Sequence, residues 1–381
     1  RSAVLFAAAN DGMLHAFRVV DKVDGFGNVL EPAGREIFAF VPSASLAAGL
    51  NQIVDPAFEH RYFVDGQLAV GQVYTETPLS AVKAWRTVLI GTMGRGGRSV
   101  FALDITNPEN IQLLWEKTAV QIPALGNVIG DPVIAQIADG DWRVLLPNGP
   151  NGNSGESALV MISVGSGSAE VIATGATGNN GLMGITAGDT NGNGFIDTVY
   201  GGDLLGNVWR FTDLAGAQSL GLLYTARNAA NQVQPITAAP YVAVQPVTQK
   251  RWVFFGTGRY LNQSDLADTT VQSWYGLIDS GSTIMSRATE LVQRTIQADG
   301  ETEVSAGADM EGKQGWYVDF VESGARMLIQ NRIMLGGLFG TVRIPDTSDP
   351  CESAGSGFTL AINPFTGARL TNPMFLNGRS I

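Results

Sequence analysis

Residues 7–17 read Ala-Ala-Ala-Asn-Asp-Gly-Met-Leu-His-Ala-Phe, which is two strand-like runs joined by an Asn-Asp-Gly turn. Such turns supply the left-handed backbone and the side-chain acceptors that tight hairpins require. The same order of β-rich run, Gly/Asn/Asp-containing turn and short second strand recurs along the chain. The later copies span residues 88–104, 143–162, 198–211, 252–279 and 333–363.

This repetition predicts a β-propeller. The copies are spaced by roughly 50–85 residues, and a four-stranded blade takes roughly 40–50. The two widest spacings leave room for one more blade or for insertions. We therefore expect an all-β fold, a modified β-propeller of six or seven blades with seven favoured, in a single domain over residues 1–381. Two packed sandwiches are the competing arrangement, but a sandwich has no reason to repeat its second hairpin.

Short insertions interrupt the strand pattern. Residues 43–51 carry an N-cap candidate followed by Ala and Leu, which predicts a short helix. Residues 262–270 and 346–356 are polar and predict exposed loops, where partner contacts are common. Four tryptophans in strand-like runs are expected to pack between sheets, with a sugar-binding platform as the alternative. They are Trp85, Trp115, Trp209 and Trp252.

Composition limits the classes of function. The net charge of −11 and pI of about 4.7 argue against a nucleic-acid partner, because phosphates require a basic face. No run of about 18 apolar residues is present, so no membrane span is expected. No signal peptide is visible, and we expect the chain to be a fragment of a longer protein lacking its N-terminal region. Cys351 is the single cysteine; it is either a spare thiol or the partner of a cysteine elsewhere in that protein.

One motif indicates a specific metal-binding site. Residues 188–198 read Gly-Asp-Thr-Asn-Gly-Asn-Gly-Phe-Ile-Asp-Thr. Oxygen-bearing side chains fall at positions 1, 3, 5 and 9 of a calcium loop, with glycine at position 6 and a backbone carbonyl expected at position 7. The predicted ligands of a Ca²⁺ ion are Asp189, Asn191, Asn193, the Phe195 backbone carbonyl and Asp197.

The motif departs from an EF-hand. Position 12 is Tyr200 instead of a bidentate glutamate, so Asp197 must coordinate directly, and the flanks are strand-like. Two carboxylates just neutralise the ion, which predicts a modest affinity of roughly 10⁻⁶ to 10⁻³ M. The alternative is that this Asn/Gly/Asp-rich stretch is only a hairpin turn, since such turns need no metal.

Other candidate sites are weaker. Residues 91–97 resemble a phosphate loop, but a strand follows them and no helix N-terminus would hold an anion. His15 and His60 lack the spacing of zinc ligands, and we expect His15 to be a structural residue of a strand. No Gly-x-Ser-x-Gly elbow is present, and Val164–Gly167 is better explained as a turn. We therefore predict no catalytic residue, and expect that the protein is not an enzyme.

Several motifs, in order, resemble the C-terminal domain of PilY/PilC-type proteins of type IV pilus biogenesis. The resemblance covers residues from about 3 to 370, so it is more specific than any one motif. It is carried by residues 10–17, 85–89, 96–104, 202–211 and 255–261.

This resemblance implies a quinoprotein-like propeller that passes through the periplasm to the cell surface or the pilus. It implies a role in pilus biogenesis, twitching motility and adhesion, with a preceding region that often holds a von Willebrand A-like domain. The implied partners are minor pilins or the pilus tip, the secretin, and host or abiotic surfaces. The family's calcium loop, matched here by residues 189–197, is linked to the balance between pilus extension and retraction.

Two rival functions use the same fold. A scaffold propeller would hold a structural calcium ion without switching. A quinone-dependent dehydrogenase would use tryptophan docking motifs, which residues 101–115 faintly resemble. Many of those enzymes place two adjacent cysteines over the cofactor, whereas this chain has one cysteine.

Overall fold

Strands dominate the computed structural model, which describes residues 3–297, 302–303, 308–345 and 355–372. Cys351 and most of the predicted loop at 346–356 lie outside the described residues. The contacts divide the chain into two compact units, residues 1–182 with 189–197 and residues 183–188 with 198–381. Within the described ranges, no helix is long and apolar enough to cross a membrane.

The first unit contains three sheets and a two-stranded ribbon among its described residues. The sheets have the strand orders β1-β2-β5, β6-β7-β8-β9 and β10-β11-β12-β13, and the ribbon is β3-β4. Two 3₁₀ helices cover Leu50–Val54 and Gly94–Gly96. The remaining elements, in chain order, are β1 (Val4–Ala8), β2 (Leu14–Arg18), β3 (Lys22–Val23), β4 (Val29–Glu31), β5 (Glu36–Phe40), α1 (Ser43–Ala47), β6 (Leu68–Thr77), β7 (Ser80–Thr92), β8 (Ser99–Asp104), β9 (Gln112–Thr118), β10 (Val133–Ala138), β11 (Asp141–Pro147), β12 (Glu156–Ser163) and β13 (Ala169–Thr177).

The second unit contains three more sheets, again among the described residues. Their strand orders are β14-β15-β16-β17, β18-β19-β20-β22-β21 and β23-β24-β25. Two 3₁₀ helices cover Gln263–Ala267 and Ala308–Met310. The remaining elements are β14 (Leu182–Gly188), β15 (Thr198–Asp203), β16 (Asn207–Thr212), β17 (Ser219–Thr225), β18 (Tyr241–Val244), β19 (Arg251–Gly256), β20 (Ser273–Asp279), α2 (Arg287–Glu290), β21 (Leu291–Arg294), β22 (Gly315–Asp319), β23 (Arg332–Met334), β24 (Gly337–Pro345) and β25 (Gly355–Ile362).

The recurring hairpins are present as antiparallel neighbours in six sheets. They are the pairs β1–β2, β7–β8, β11–β12, β15–β16, β19–β20 and β24–β25. The sixth starts later than the sequence predicts. Leu335 and Gly336 both have positive φ and turn the chain, so β24 begins at Gly337 and residues 332–334 form a separate strand.

Burial follows each strand's place in its sheet. Every residue of β8 and of β15 is buried, which explains the continuous apolar run from Val100 to Leu103 in β8. The second half of β6 instead alternates, with Val73 and Thr75 buried and Gln72 and Tyr74 exposed. In both units the core lies between sheets. Val88 packs in one cluster with Val144, and Trp274 packs in another with Leu338.

A tryptophan-on-glycine contact joins neighbouring sheets in each unit. Trp115 of β9 donates its indole N–H to the Val164 carbonyl at 2.9 Å, in the turn after β12. Its ring lies against Gly167, where an added Cβ would be 2.8 Å from the ring. This finding confirms that residues 164–167 form a turn and gives the faint docking motif at 101–115 a structural role.

The second unit repeats this contact. Trp316 of β22 donates its indole N–H to the Pro364 carbonyl at 2.8 Å and lies against Gly367. The two turns have the same backbone bonds, because Gly167 donates to Ser163 and Gly367 donates to Asn363, both at 2.9 Å.

The helix predicted at 43–51 is confirmed in its first half only. It ends as α1 at Ala47 and is followed by the 3₁₀ helix, and Pro42 occupies the N-cap position without a side-chain bond. The prediction of an exposed loop at 262–270 is confirmed for Asn262, Gln263, Ser264, Ala267 and Thr269, which are exposed, and is wrong for Asp265. A capping box between Asn262 and Asp265 closes a 3₁₀ turn there, and Asp265 is buried, with its carboxylate 2.8 Å from the Arg259 Nε.

The prediction for the tryptophans holds for Trp115, Trp209 and Trp252, which are buried. It is wrong for Trp85, which is 63% exposed on β7. The number of blades and the single domain over residues 1–381 stay predictions.

Candidate calcium loop

The predicted calcium loop connects two strands. Residues 189–197 follow β14 and precede β15, so the expectation of strand-like flanks is confirmed. The loop belongs to the first unit, where the Ile196 N–H donates to the Gln136 carbonyl of β10 at 2.9 Å. This bond anchors position 8 of the loop to the edge of a four-stranded sheet.

Asp189 organises the first half of the loop. Its Oδ1 accepts the Gly192 N–H at 2.7 Å and the Asn191 N–H at 3.2 Å, and its Oδ2 accepts the Gly194 N–H at 2.7 Å. Gly192 and Gly194 have φ of +78° and +87° with open space around them, so these turns suit glycine. One carboxylate therefore gathers three amides and wraps the loop around itself.

The two asparagines continue the same pattern. The Asn191 Oδ1 accepts the Asn193 N–H at 3.0 Å, and the Asn193 Oδ1 accepts the Phe195 N–H at 2.8 Å. A side-chain carbonyl oxygen has two lone pairs, so accepting one N–H leaves the other for a cation. The side chains of Asp189, Asn191 and Asn193 are thus each oriented by the amide two residues further on.

Asp197 closes the loop. Its Oδ1 accepts the Thr190 hydroxyl at 2.7 Å and the Thr190 N–H at 3.1 Å. Since Thr190 follows Asp189 directly, these bonds draw the two ends of the loop together. The sequence analysis overlooked Thr190, although a hydroxyl at position 2 could have signalled it.

The charge state of the loop favours a cation. The Gly194 N–H, with those of Gly192 and Asn191, holds the pKa of Asp189 below its usual value, although partial desolvation raises it. Asp189 is therefore ionised at neutral pH. Tyr200, at position 12, is buried in β15 and donates its hydroxyl to Asp279, in keeping with the expectation that position 12 supplies no ligand.

The donor set fits calcium chemically. Carboxylate, amide and backbone oxygens are the hard ligands that Ca²⁺ prefers, and five consecutive odd positions of the loop supply them. In the described part of the chain, no group of three or more His, Cys, Asp or Glu side chains is placed to hold a metal. Only two predicted ligands of the loop belong to those residue types, so the loop's fit depends on its amide and backbone oxygens.

The phosphate-loop alternative at 91–97 does not fit its surroundings. The segment forms a 3₁₀ turn leading into β8, and an added Cβ at Gly96 would lie 1.7 Å from the Phe63 carbonyl oxygen. These glycines therefore allow close packing of backbone on backbone.

The two histidines have different surroundings. His15 lies in β2 as expected, and its ring nitrogens are each 2.8 Å from a carboxylate oxygen, one of Asp11 and one of Glu36. His60 packs edge-on against Tyr62.

The comparisons with known proteins all point to one family. The sequence matches the PilY1 beta-propeller domain family over residues 1–221 and 220–303. A type IV pilus biogenesis factor PilY1 homolog of Xylella fastidiosa is 44% identical over 380 residues, covering 97% of this chain and 30% of that protein. PilY1 of Pseudomonas aeruginosa is 32% identical over 433 residues, covering 98% of this chain and 36% of that protein. The chain thus spans about a third of the length of these curated relatives.

The fold is also similar to a solved structure. The crystal structure of the Pseudomonas aeruginosa PilY1 C-terminal domain superposes with a TM-score of 0.75 and 29% sequence identity, covering 98% of this chain and 81% of that chain. Together these similarities confirm the predicted all-β propeller class and the resemblance stated from the motifs.

Proposed function

This chain belongs to the PilY1 β-propeller family, and from that premise we propose that it acts in type IV pilus biogenesis as a calcium-binding domain. The observation that carries the calcium part is the arrangement of residues 189–197, where each predicted side-chain ligand is oriented by bonds from neighbouring backbone amides or from Thr190. The family supports the pilus part. We assign the protein to the periplasm in transit and then to the cell surface or pilus.

The proposed ligands are Asp189, Asn191, Asn193, Asp197 and the backbone carbonyl of Phe195. When bound, calcium supplies two positive charges that offset the two carboxylates. The chain itself holds these groups in place, through the Gly194 amide on Asp189 and the Thr190 hydroxyl on Asp197. The Ile196 bond to Gln136 then links the order of the loop to β10.

Calcium is proposed to switch the surface that the domain presents. Without the ion, the two carboxylates repel each other at the ends of a short loop, and that repulsion opposes the ordered arrangement. With the ion, the ordered loop would present a face to minor pilins or to the secretin and so shift the balance between pilus extension and retraction. Twitching motility and adhesion to host or abiotic surfaces would follow from that balance.

A non-switching structural calcium is the second candidate. One observation favours it, because the amides of Gly192, Gly194 and Phe195 are already bonded within the loop. On this view the ion raises the melting temperature and leaves partner binding unchanged.

Calorimetric titration of calcium into the chelator-stripped 381-residue chain tests the site. We expect one site with a Kd of roughly 10⁻⁶ to 10⁻³ M. Asp189→Asn removes a charge while keeping an acceptor, and should weaken binding at least about tenfold. Asp24→Asn is the matched control, because Asp24 is a half-buried aspartate outside the loop that accepts the Phe26 and Asn28 amides at 2.8 and 2.9 Å. No binding by the parent chain, or an equal loss in the control, would remove the calcium proposal.

A cellular experiment separates the two candidates. Asp189→Asn is introduced into the complete protein in its bacterium, and surface pili and twitching zones are measured across calcium concentrations, with Asp24→Asn in parallel. Altered pilus number or a lost calcium response supports the switch. Parental behaviour despite lost calcium binding supports the structural ion.

A further inference from the structure

An exposed aromatic cluster lies on the hairpin of β6 and β7, and none of its residues is a proposed calcium ligand. The ring of Tyr74 lies 5.7 Å from that of Trp85, its cross-strand partner. Trp85 in turn packs edge-on against Trp142 of β11, with the ring centroids 6.5 Å apart. These three residues are the aromatic platform, and all three belong to the first unit.

The platform is built on a projecting arm. The pairing of β7 with β8 ends at Val88, whereas the pairing of β6 with β7 continues outward past Trp85. The inner side of the arm is packed, because Thr75 lies against Gly165 in the turn after β12. The rings of Tyr74 and Trp85 are therefore held by a braced hairpin and by each other. Trp142 lies nearer the loop at 189–197, because its cross-strand partner Gln136 accepts the Ile196 N–H.

Exposure makes this cluster unusual. Trp85 is 63% exposed and Tyr74 is 43% exposed, whereas Trp115, Trp209, Trp252, Trp274 and Trp316 are buried. Leaving large aromatic surface in water forgoes the burial energy that the other tryptophans contribute. An exposed pair of packed rings on a braced hairpin is a surface that a ligand could cover.

The size of the platform favours a small ligand. A side chain of this type buries about 150–250 Å² when fully covered, so the exposed fractions of Trp85 and Tyr74 together offer roughly 250 Å². A stable protein interface covers about 800 Å² on each partner. The area suits one or two rings of a ligand.

Polar groups flank the rings in the way a sugar requires. Gln72 and Glu76 lie two residues to either side of Tyr74 on β6, and both are exposed. The C–H face of a hexose stacks on indole or phenol rings, and its hydroxyls bond planar amide and carboxylate groups. The chain's net charge of −11 disfavours an acidic sugar.

We propose that the aromatic platform binds a neutral carbohydrate, with Trp85 and Tyr74 as stacking residues and Gln72 and Glu76 as hydroxyl partners. This binding goes beyond the proposed pilus function and uses none of the proposed calcium ligands.

The test is titration of chitohexaose and cellohexaose into the 381-residue chain in EDTA, followed by tryptophan fluorescence and calorimetry. Working in EDTA separates this proposal from the calcium proposal, since either can fail alone. We expect saturable binding to at least one sugar, weakened about tenfold by Trp85→Ala and by Tyr74→Ala. Trp85→Phe should retain part of the affinity. Phe26→Ala, which removes a ring that is 94% exposed elsewhere, should leave it unchanged.

Three results would overturn the proposal. They are the absence of binding to both sugars, unchanged binding by a folded Trp85→Ala chain, and an equal loss in Phe26→Ala. A fourth would reassign the platform: if sedimentation shows that the parent self-associates and Trp85→Ala does not, the rings serve a contact between copies. Circular dichroism of each variant confirms that it is folded.

Discussion

The tryptophan-on-glycine contacts predict a large effect from adding one methyl group. Gly367 has φ of +66°, and a Cβ there would lie 2.6 Å from the Trp316 ring. Gly167 has φ of +71°, and its Cβ would lie 2.8 Å from the Trp115 ring. Neither ring can move freely, because each indole N–H is bonded to a backbone carbonyl in the same turn. Gly367→Ala and Gly167→Ala should therefore be strongly destabilising.

The expected loss in the free energy of unfolding has two parts. Placing alanine at positive φ costs about 1–2 kcal/mol. Forcing a methyl group into a packed aromatic contact adds about 1–3 kcal/mol. The sum is about 2–5 kcal/mol for each substitution, a large fraction of the stability of a typical domain.

Matched glycines isolate the packing part. Gly175 and Gly281 have φ of +76° and +87°, and a Cβ at either would meet nothing within 4 Å. Gly175→Ala and Gly281→Ala should lose only the conformational part, about 1–2 kcal/mol. Urea unfolding followed by tryptophan fluorescence measures all four variants. Equal losses in the packed and open glycines would refute the reasoning, because the rings would then contribute nothing to the cost.

Two further predictions concern the stability that acidic side chains contribute through ion pairs and buried hydrogen bonds. Glu36 and then Asp11 raise the pKa of His15, so its stabilisation is complete below pH about 6.5 and is lost as pH rises through the folded-state pKa. His15→Gln should accordingly lower the free energy of unfolding more at pH 5.5 than at pH 8.5, by less than about 1 kcal/mol because the pair is solvent-screened. Thermal unfolding at the two pH values measures this, and an equal effect at both would contradict it. Buried Asp203 accepts the Trp209 indole N–H at 2.8 Å and two backbone amides at 2.9 Å, so Asp203→Ala should cost about 2–4 kcal/mol in urea unfolding. A loss below about 1 kcal/mol would show that water replaces the carboxylate.

Local features of the fold were predictable because their causes are local. An Asp-Gly turn between two strand-like runs selects a hairpin through the backbone conformation of a few residues, as at Asp11 and Gly12, where φ is +95°. The candidate calcium ligands lie within nine consecutive residues, so their spacing alone suggested the site. The bonds from Gly194 to Asp189 and from Phe195 to Asn193 are a direct result of that spacing.

Features that depend on distant residues were not predictable. Asp265 lies in a polar stretch, yet it is buried because a capping box and Arg259 satisfy its carboxylate. Trp85 lies in a strand-like run, as the buried Trp209 does, yet it is exposed because β6 and β7 extend past β8.

The sequence by itself determined the repeated hairpins, the all-β class and the contiguous set of candidate calcium ligands, because turn geometry and ligand spacing act over a few residues. Only the tertiary structure decided which tryptophans are covered and which turns they contact. Val164 and Pro364 accept indole N–H groups from strands far away in the chain, and no local pattern encodes that partnership. Which aromatic residues are exposed and which are buried depends on how the sheets pack against one another.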